Sequence, residues 1–270
     1  MPHVTPERGY WCRTGLKADA AGSDLWRCHS DYVNAELLRR WMPPAGIGRV
    51  LKTDLYDEAL GEGLYPFLAT IGAKVVGIDV SQSVRRRAVQ RYPQLLALDS
   101  DVRALPFQDG ALDAIVSNST LDHFSSEAEI LAAISELSRV LAPGGHLVLT
   151  LDNPSNPVVW IRNRIPRRWQ RALHIVPYYV GATLCRERLA ASLRGAGLHV
   201  LEESAILHCP RAMAIAAARL LNWCGPRLRM GFVRALACFE HLASCGTRYR
   251  TGYFIAAHAI KPGGCAVTDR

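Results

Sequence analysis

Residues 50–79, VLKTDLYDEALGEGLYPFLATIGAKVVGID, read as a strand, a glycine-bearing turn, a helix and a second strand ending in an acid. Val50 and Leu51 open an apolar run, and Gly61-Glu62-Gly63 punctuates it. Leu64 to Ile71 has the apolar spacing of a helix, which Gly72 closes. Lys74-Val75-Val76-Gly77-Ile78 has the pattern of a buried strand. Asp79 stands where that strand ends. In an open parallel sheet, ligands bind at the carboxyl edge of the strands, so the stretch predicts a ligand grip.

Strand and helix alternate on both sides of it. Upstream, Ser30-Asp31 can cap a helix from Tyr32 to Trp41, which Pro43-Pro44 and Gly46 stop before the first strand at Arg49. Downstream, Ser81 is a cap candidate for a helix from Ser83 to Arg91. Leu95 to Leu98 and Leu112 to Val116 read as strands, and Ser126 to Leu141 as a helix with Ile130, Ile134 and Leu137 on one face. Pro143-Gly144-Gly145 ends that helix, and His146 to Leu151 is the next strand. Such alternation argues for a parallel sheet wrapped on both faces.

Beyond Asp152 the character changes. Asn153 to Pro166 holds several prolines, and Thr183 to Ala196 reads as a helix capped by Thr183 with Glu187 near N3. Leu198 to Glu202 and Tyr253 to Ile260 read as strands. Between them, Arg211 to Leu221 and Arg229 to Leu242 are apolar helices split by Gly225-Pro226, the usual place for a substrate-specific cap. Tyr10, Trp11, Cys12 and Trp26 punctuate an irregular N-terminal arm that either covers a pocket or straps the core.

Composition narrows the function classes. The chain of 270 residues is 49% hydrophobic and 21% charged, so it has material for a large core. Its net charge of +8 comes largely from arginine clusters at Arg85 to Arg87, Arg162 to Arg171 and Arg227 to Arg234. The first of these reads as a solvated helix face. The 8 Cys form no CxxC pair and no regular Cys/His ligand spacing, so no metal site is expected. The N-terminal residues lack the apolar core of a secretion signal, and the run Ala212 to Trp223 is broken by Arg219 too early to span a bilayer. A cytoplasmic protein is the expectation.

Several local signatures carry a family resemblance over residues 46–152. They are Ala73-Lys-Val-Val-Gly-Ile-Asp79-Val-Ser81, the run from Asp101 through Leu105-Pro106-Phe107 to Asp113, Ser117-Asn-Ser-Thr-Leu-Asp-His-Phe124, and Leu137-Ser-Arg-Val-Leu-Ala-Pro-Gly-Gly145. In this order they resemble the class I S-adenosylmethionine-dependent methyltransferases, of the small-molecule type related to ubiquinone-biosynthesis enzymes. The resemblance implies a Rossmann-like, seven-stranded, mostly parallel α/β sheet with helices on both faces, an antiparallel last strand and a helical cap. It divides the chain into an arm and helix (1–45), a cofactor-binding core (46–152), cap insertions with the sixth strand (153–250), and a last strand and tail (251–270).

It also implies site residues. Asp79, with Val80 after it, would accept the ribose hydroxyls; Asp101 would hold the adenine, with Asp99 in reserve and Val102 against the ring. Asp57 or Glu58 would face the cofactor ammonium, Gly61 and Gly63 would let backbone approach it, and Asn118 would be a cofactor contact or a loop hydrogen bond. The first loop departs from the family, because Ala59 falls at the first glycine of its compact GxGxG pattern and Lys52 to Tyr56 lengthens the approach. A dinucleotide would need GxGxxG directly after the strand, which is absent. The implied reaction is in-line displacement at the sulfonium methyl by a small, largely apolar acceptor through O- or C-methylation, as in secondary metabolism. His123, with Asp122 beside it, is the candidate base or else a structural histidine; His174, Tyr178 and Tyr179 are candidate pocket residues. The resemblance implies no nucleic-acid partner. Peripheral lipid contact and a homodimer stay open, as does a non-catalytic fold acting as a binding or scaffolding partner.

Overall fold

A computed structural model describes residues 24–166, 169, 180–221 and 223–263. The aromatic arm at Tyr10 to Cys12 and the pocket candidates His174, Tyr178 and Tyr179 lie outside them. The elements in order are α1 (Asp24–Trp41), β1 (Ile47–Lys52), α2 (Tyr56–Leu60), α3 (Tyr65–Ile71), β2 (Gly72–Ile78), α4 (Gln82–Arg91), β3 (Leu96–Leu98) and β4 (Leu112–Asn118). There follow α5 (Glu127–Val140), β5 (Leu141–Asp152), α6 (Pro157–Arg164), α7 (Arg186–Gly195), β6 (His199–Ile206), α8 (Arg211–Leu221), α9 (Pro226–Cys238), α10 (Arg248–Thr251) and β7 (Phe254–Ile260). Short 3₁₀ turns occupy Leu121–His123 and Phe239–Ser244.

The strands form one seven-stranded sheet in the order β3-β2-β1-β4-β5-β7-β6. All pairs from β3 to β5 are parallel, and β7 runs antiparallel to both β5 and β6. The chain reverses its winding between β1 and β4, and in such sheets the crevice at that reversal binds ligand. Because both faces are covered, the central strands are continuous apolar runs, and alternate residues feed opposite cores. Val50, Ala114, Val116 and Val148 pack with α1 and α3 on one face; Leu51, Ile115, Leu147 and Leu149 pack with α5 and α7 on the other.

Helix α5 shows how sequence sets an element. Ser126 and Glu129 close a reciprocal capping box, worth about 1 kcal/mol, and Ile130, Ile134 and Leu137 bury its inner face. Other boundaries differ from expectation. Ser30 and Asp31 lie inside α1, because Leu25, Trp26 and His29 give its first turns a buried face. Strand β5 starts at Leu141 rather than His146; Leu141 pairs with Leu112, and a register shift absorbs the Pro-Gly-Gly segment. Thr183 does not cap α7, which begins at Arg186; its hydroxyl donates to Asp152 O at 2.5 Å instead.

Candidate functional site

At the end of β1 the chain turns through a helical segment, α2, before it reaches Gly61. Glu58, one of the two acids expected to face a ligand ammonium, is on that turn and fully buried. Its Oε1 accepts the backbone N–H groups of Leu64 and Tyr65 at 2.8 and 3.2 Å, while Oε2 lies 3.0 Å from Lys52 Nζ. That carboxylate is consumed inside the protein, which leaves Asp57, half-buried on the same turn, of the two expected acids. Lys52 is equally buried and also reaches Asp54 Oδ1 at 3.3 Å. Desolvation pulls the Lys52 pKa down, but the carboxylates of Asp54, Glu58 and Asp57 outweigh it, and the net direction is up.

The glycines have internal work as well. Gly63 has φ +63, a conformation that favours glycine, and a Cβ there would lie 2.6 Å from the Glu58 carboxyl group. Its N–H donates to Asp31 Oδ2 on α1 at 3.0 Å. At Gly61 a Cβ would sit 3.3 Å from Arg27 Cδ. Burial, then the charges of Asp57 and Glu58, push the Asp31 carboxyl up to about 8. Acids therefore outnumber Lys52 around this loop.

Asp54 is the acid at the strand edge. Its Oδ1 accepts the Tyr56 N–H at 3.3 Å, and its Oδ2 accepts the Thr120 hydroxyl at 3.2 Å. That ties the end of β1 to the segment after β4, where Thr53, Ser117 and Thr120 form a hydroxyl chain with separations of 3.0 and 2.7 Å. Asp79, at the end of β2, accepts Leu55 N–H at 3.1 Å and Ser81 N–H at 2.8 Å. Burial raises its pKa to about 6; the two N–H groups oppose the shift and Asp54 adds to it. Val80, the next residue, is half-buried. Asp54 and Asp79 thus stand at the carboxyl ends of adjacent strands.

The other candidates are spread along the same edge. Asp101 is held by Arg103, with Nε at 3.0 Å from Oδ1 and the terminal nitrogen at 2.6 Å from Oδ2. Arg103 also bonds Glu129 and stacks over Phe124. Val102 is buried in the core shared with α5, while the reserve acid Asp99 is exposed and pairs with Arg85 at 3.2 Å. Asn118 Oδ1 accepts the Thr150 hydroxyl at 2.8 Å. Beside this pair is a small internal void between α1 and the ends of β4 and β5, walled by the buried core residues Leu37, Leu38, Leu64, Val116 and Val148, with Asn34 on α1.

His123 ends the 3₁₀ turn after β4 and is partly exposed, with Nε2 3.9 Å from Asp122 Oδ1. Asp122 is buried, and its Oδ2 accepts the Ser119 hydroxyl at 2.7 Å and the Asp152 N–H at 3.2 Å. Burial and then Asp152 raise its pKa to about 6. The turn is clamped from outside: Gly181 N–H donates to Asp122 O at 2.7 Å, and Ala182 N–H to Phe124 O at 2.6 Å. A Cβ at Gly181 would come within 1.9 Å of Phe124 O.

Sequence reasoning placed Asp79 and His123 at this edge and read Asp54, with Asp57, only as added negative charge suited to an ammonium, but it missed Lys52 as the internal counterion. The available signal was a lysine directly after Val50-Leu51, inside a run that has to be buried. Among the described residues no group of three or more His, Cys, Asp or Glu side chains could hold a metal ion.

A doubly wound sheet with acids at the carboxyl ends of β1 and β2 defines a Rossmann-like fold. Residues 56–149 match the family model described as methyltransferase domain. Over 90 residues the chain is 42% identical to demethylmenaquinone methyltransferase of Thermus thermophilus, covering 32% of this chain and 39% of that protein. It is 36% identical over 95 residues to a probable tRNA methyltransferase 9B of Mus musculus, covering 35% and 19%. The chain spans less than half the length of these curated relatives. Geranyl diphosphate C-methyltransferase from Streptomyces coelicolor, solved with S-adenosyl-L-homocysteine, superposes with TM-score 0.60 at 16% identity over 96% of this chain and 99% of that one. The [4+2]-cyclase SpnF superposes with TM-score 0.58 at 22% identity over 92% and 85%. At those identities the structural likeness carries the fold.

Proposed function

We propose that this protein transfers a methyl group from S-adenosylmethionine to a small, largely apolar acceptor. The observation that carries the reading is the pair of edge acids, Asp54 and Asp79, at the carboxyl ends of adjacent parallel strands. A cluster with surplus carboxylates suits a cation, as an ammonium and sulfonium present, and it repels a pyrophosphate. Asp79 accepts the ribose hydroxyls, and Asp54 replaces Glu58 as the partner of the ammonium. Asp101, oriented by Arg103, holds the adenine, and Asn118 is set by Thr150. When bound, the cofactor supplies an electrophilic methyl; the chain's own residues align the acceptor, exclude water and hold the proton. His123 takes the proton from an oxygen acceptor.

Calorimetry with S-adenosylmethionine, followed by methyl transfer to quinone, terpenoid and tRNA pools, tests the reading. Absence of cofactor binding to folded protein would sink it. Transfer to tRNA alone would overturn the small-acceptor part.

A second reading rests on one observation: the space beside Gly63 is filled by Glu58 instead of being open to a ligand. That favours a methyltransferase-like fold acting as a binding or scaffolding partner without methyl transfer, and the same calorimetry separates the two.

A further inference from the structure

Two stretches of the chain contain no acid at all. Residues 153–186 carry six arginines, and residues 204–239 carry five, with no Asp, Glu or Lys in either. Their eleven positive charges exceed the +8 of the whole chain, so the remainder is net acidic. The basic character of this protein is therefore local, and it coincides with the cap helices.

Those helices also expose apolar side chains in register. On α8 and the turn after it, Met213, Ala216, Leu220 and Trp223 follow one another at three- and four-residue spacing, which is one helical face. Met213 is 72% exposed, Leu220 77% and Trp223 94%. Helix α9 adds Leu228 and Met230, both exposed. Its opposite side packs on α1 and α8, so the exposed face points away from the sheet. Arg219, Arg227 and Arg234 are exposed among these residues, and none forms an ion pair with an acid among the described residues. Helix α6 lies alongside: Arg162 reaches the Tyr253 hydroxyl at 2.8 Å, and Arg211, which opens α8, stacks on the same ring at 4.7 Å. It exposes Val158, Trp160 and Ile161.

We propose that this face, made by α8 and α9, docks the protein onto an anionic lipid surface. Apolar and tryptophan side chains enter the headgroup boundary while interleaved arginines meet lipid phosphates, the combination that holds a helix in the plane of an interface. Nucleic acid would reward the arginines but not the exposure of Met213, Leu220 and Leu228. A second copy seated on the same face would bring arginines against arginines, with no carboxylate in the patch to relieve them. The inference goes beyond methyl transfer and does not depend on it, because its readout involves no turnover.

The test is co-sedimentation of the full chain with vesicles of phosphatidylcholine alone and with about 30% phosphatidylserine. Wild-type protein should sediment with the anionic vesicles and be released by salt at about 0.5 M. The M213D/L220D/W223D variant should lose at least about tenfold in partition coefficient while keeping its circular dichroism and hydrodynamic size. Should that variant fail to fold, R219E/R227E/R234E serves in its place, and it should lose the preference for anionic over neutral vesicles. Failure of folded wild-type protein to bind vesicles would overturn the proposal, as would binding that survives both variants. A wild-type dimer that M213D/L220D/W223D converts to monomer, without vesicle binding, would assign the face to self-association. Salt-sensitive RNA binding without vesicle binding would assign it to nucleic acid.

Discussion

Lys52 Nζ lies 3.0 Å from Glu58 Oε2, and neither side chain reaches solvent. The pair joins the end of β1 to the helical turn that follows it, and Glu58 Oε1 also holds two N–H groups at the start of α3. Breaking such a pair from one side leaves a buried charge uncompensated. Lys52→Met is therefore expected to cost about 3–5 kcal/mol in urea unfolding. Lys52→Met combined with Glu58→Gln should recover most of that loss, since Gln keeps an acceptor for Leu64 and Tyr65 without the charge. A double variant no more stable than the single one would show that the pair is not the source.

Asp54 separates from Glu58 by the same logic. It is partly exposed at the strand edge and is tied by Thr120 and the Tyr56 N–H. Asp54→Asn should weaken S-adenosylmethionine binding about tenfold, the scale of one charge-assisted hydrogen bond, with a smaller effect on stability than Lys52→Met. Calorimetry on the folded variant gives the answer, and an unchanged Kd would remove Asp54 from the site.

For Asp79, binding and stability should respond to pH in opposite directions. Its folded pKa, raised to about 6 mainly by burial, exceeds its unfolded value. The stability this group contributes is thus fully present below the unfolded pKa and is lost as pH rises through 6. Acceptance of ribose hydroxyls needs the ionised carboxylate, so cofactor affinity should fall as pH drops below 6. Asp79→Ala should abolish that pH dependence and weaken binding at least about tenfold at neutral pH. Unaltered affinity in the variant would strip Asp79 of its role.

The contrast between Asp79 and Lys52 shows what the sequence could disclose. Asp79 follows five residues of buried-strand pattern, and a strand-end acid has one dominant geometric meaning in this kind of sheet. Lys52 closes β1, opposite Gly77 of β2, but a lysine after two apolar residues reads as an emergence into solvent. Its burial depends on Asp54 and Glu58, which meet it only after α2 forms. That helical turn was itself hidden, because Gly61 and Gly63 dominate the local pattern while Leu55 and Ala59, both fully buried, supply only one turn of apolar spacing. The strand–helix alternation and the apolar face of α5 at Ile130, Ile134 and Leu137 were legible because each rests on local signals. The boundaries of α1 and β5 depended on tertiary contacts: the burial of Leu25 and Trp26, and the pairing of Leu141 with Leu112.

Two histidines outside the site set an acid limit. Burial lowers His29 to about 4, and burial with His146 alongside lowers His258 to about 4. His258 Nε2 is 3.0 Å from His146 Nδ1, and its ring stacks on Trp41. Unfolded chains would bind these protons near pH 6.5, so the stability conferred by the neutral rings is present above 6.5 and is lost as pH falls toward 4. The slope should approach about 1.4 kcal/mol per pH unit for each histidine. His258→Gln should remove one such contribution, changing the slope by up to about 1.4 kcal/mol per pH unit, read from Tm between pH 6.5 and 4. An unchanged slope in that variant would place the acid sensitivity elsewhere.

His123 offers the sharpest test of chemistry against architecture. Its backbone is fixed by the Gly181 and Ala182 clamps on either side, so the 3₁₀ turn should survive loss of the imidazole. Its Nε2 is 3.9 Å from Asp122 Oδ1, longer than a hydrogen bond. If His123 is the base, His123→Ala should lower kcat about 10²-fold and remove the acidic limb of the pH–rate profile, with cofactor Kd and Tm nearly unchanged. A purely structural histidine would give the reverse: a lower Tm with kcat and the profile intact. His123→Gln separates the two further, because it preserves the bulk and a hydrogen-bonding side chain but cannot take the proton. Turnover restored by Gln would retire His123 as the base.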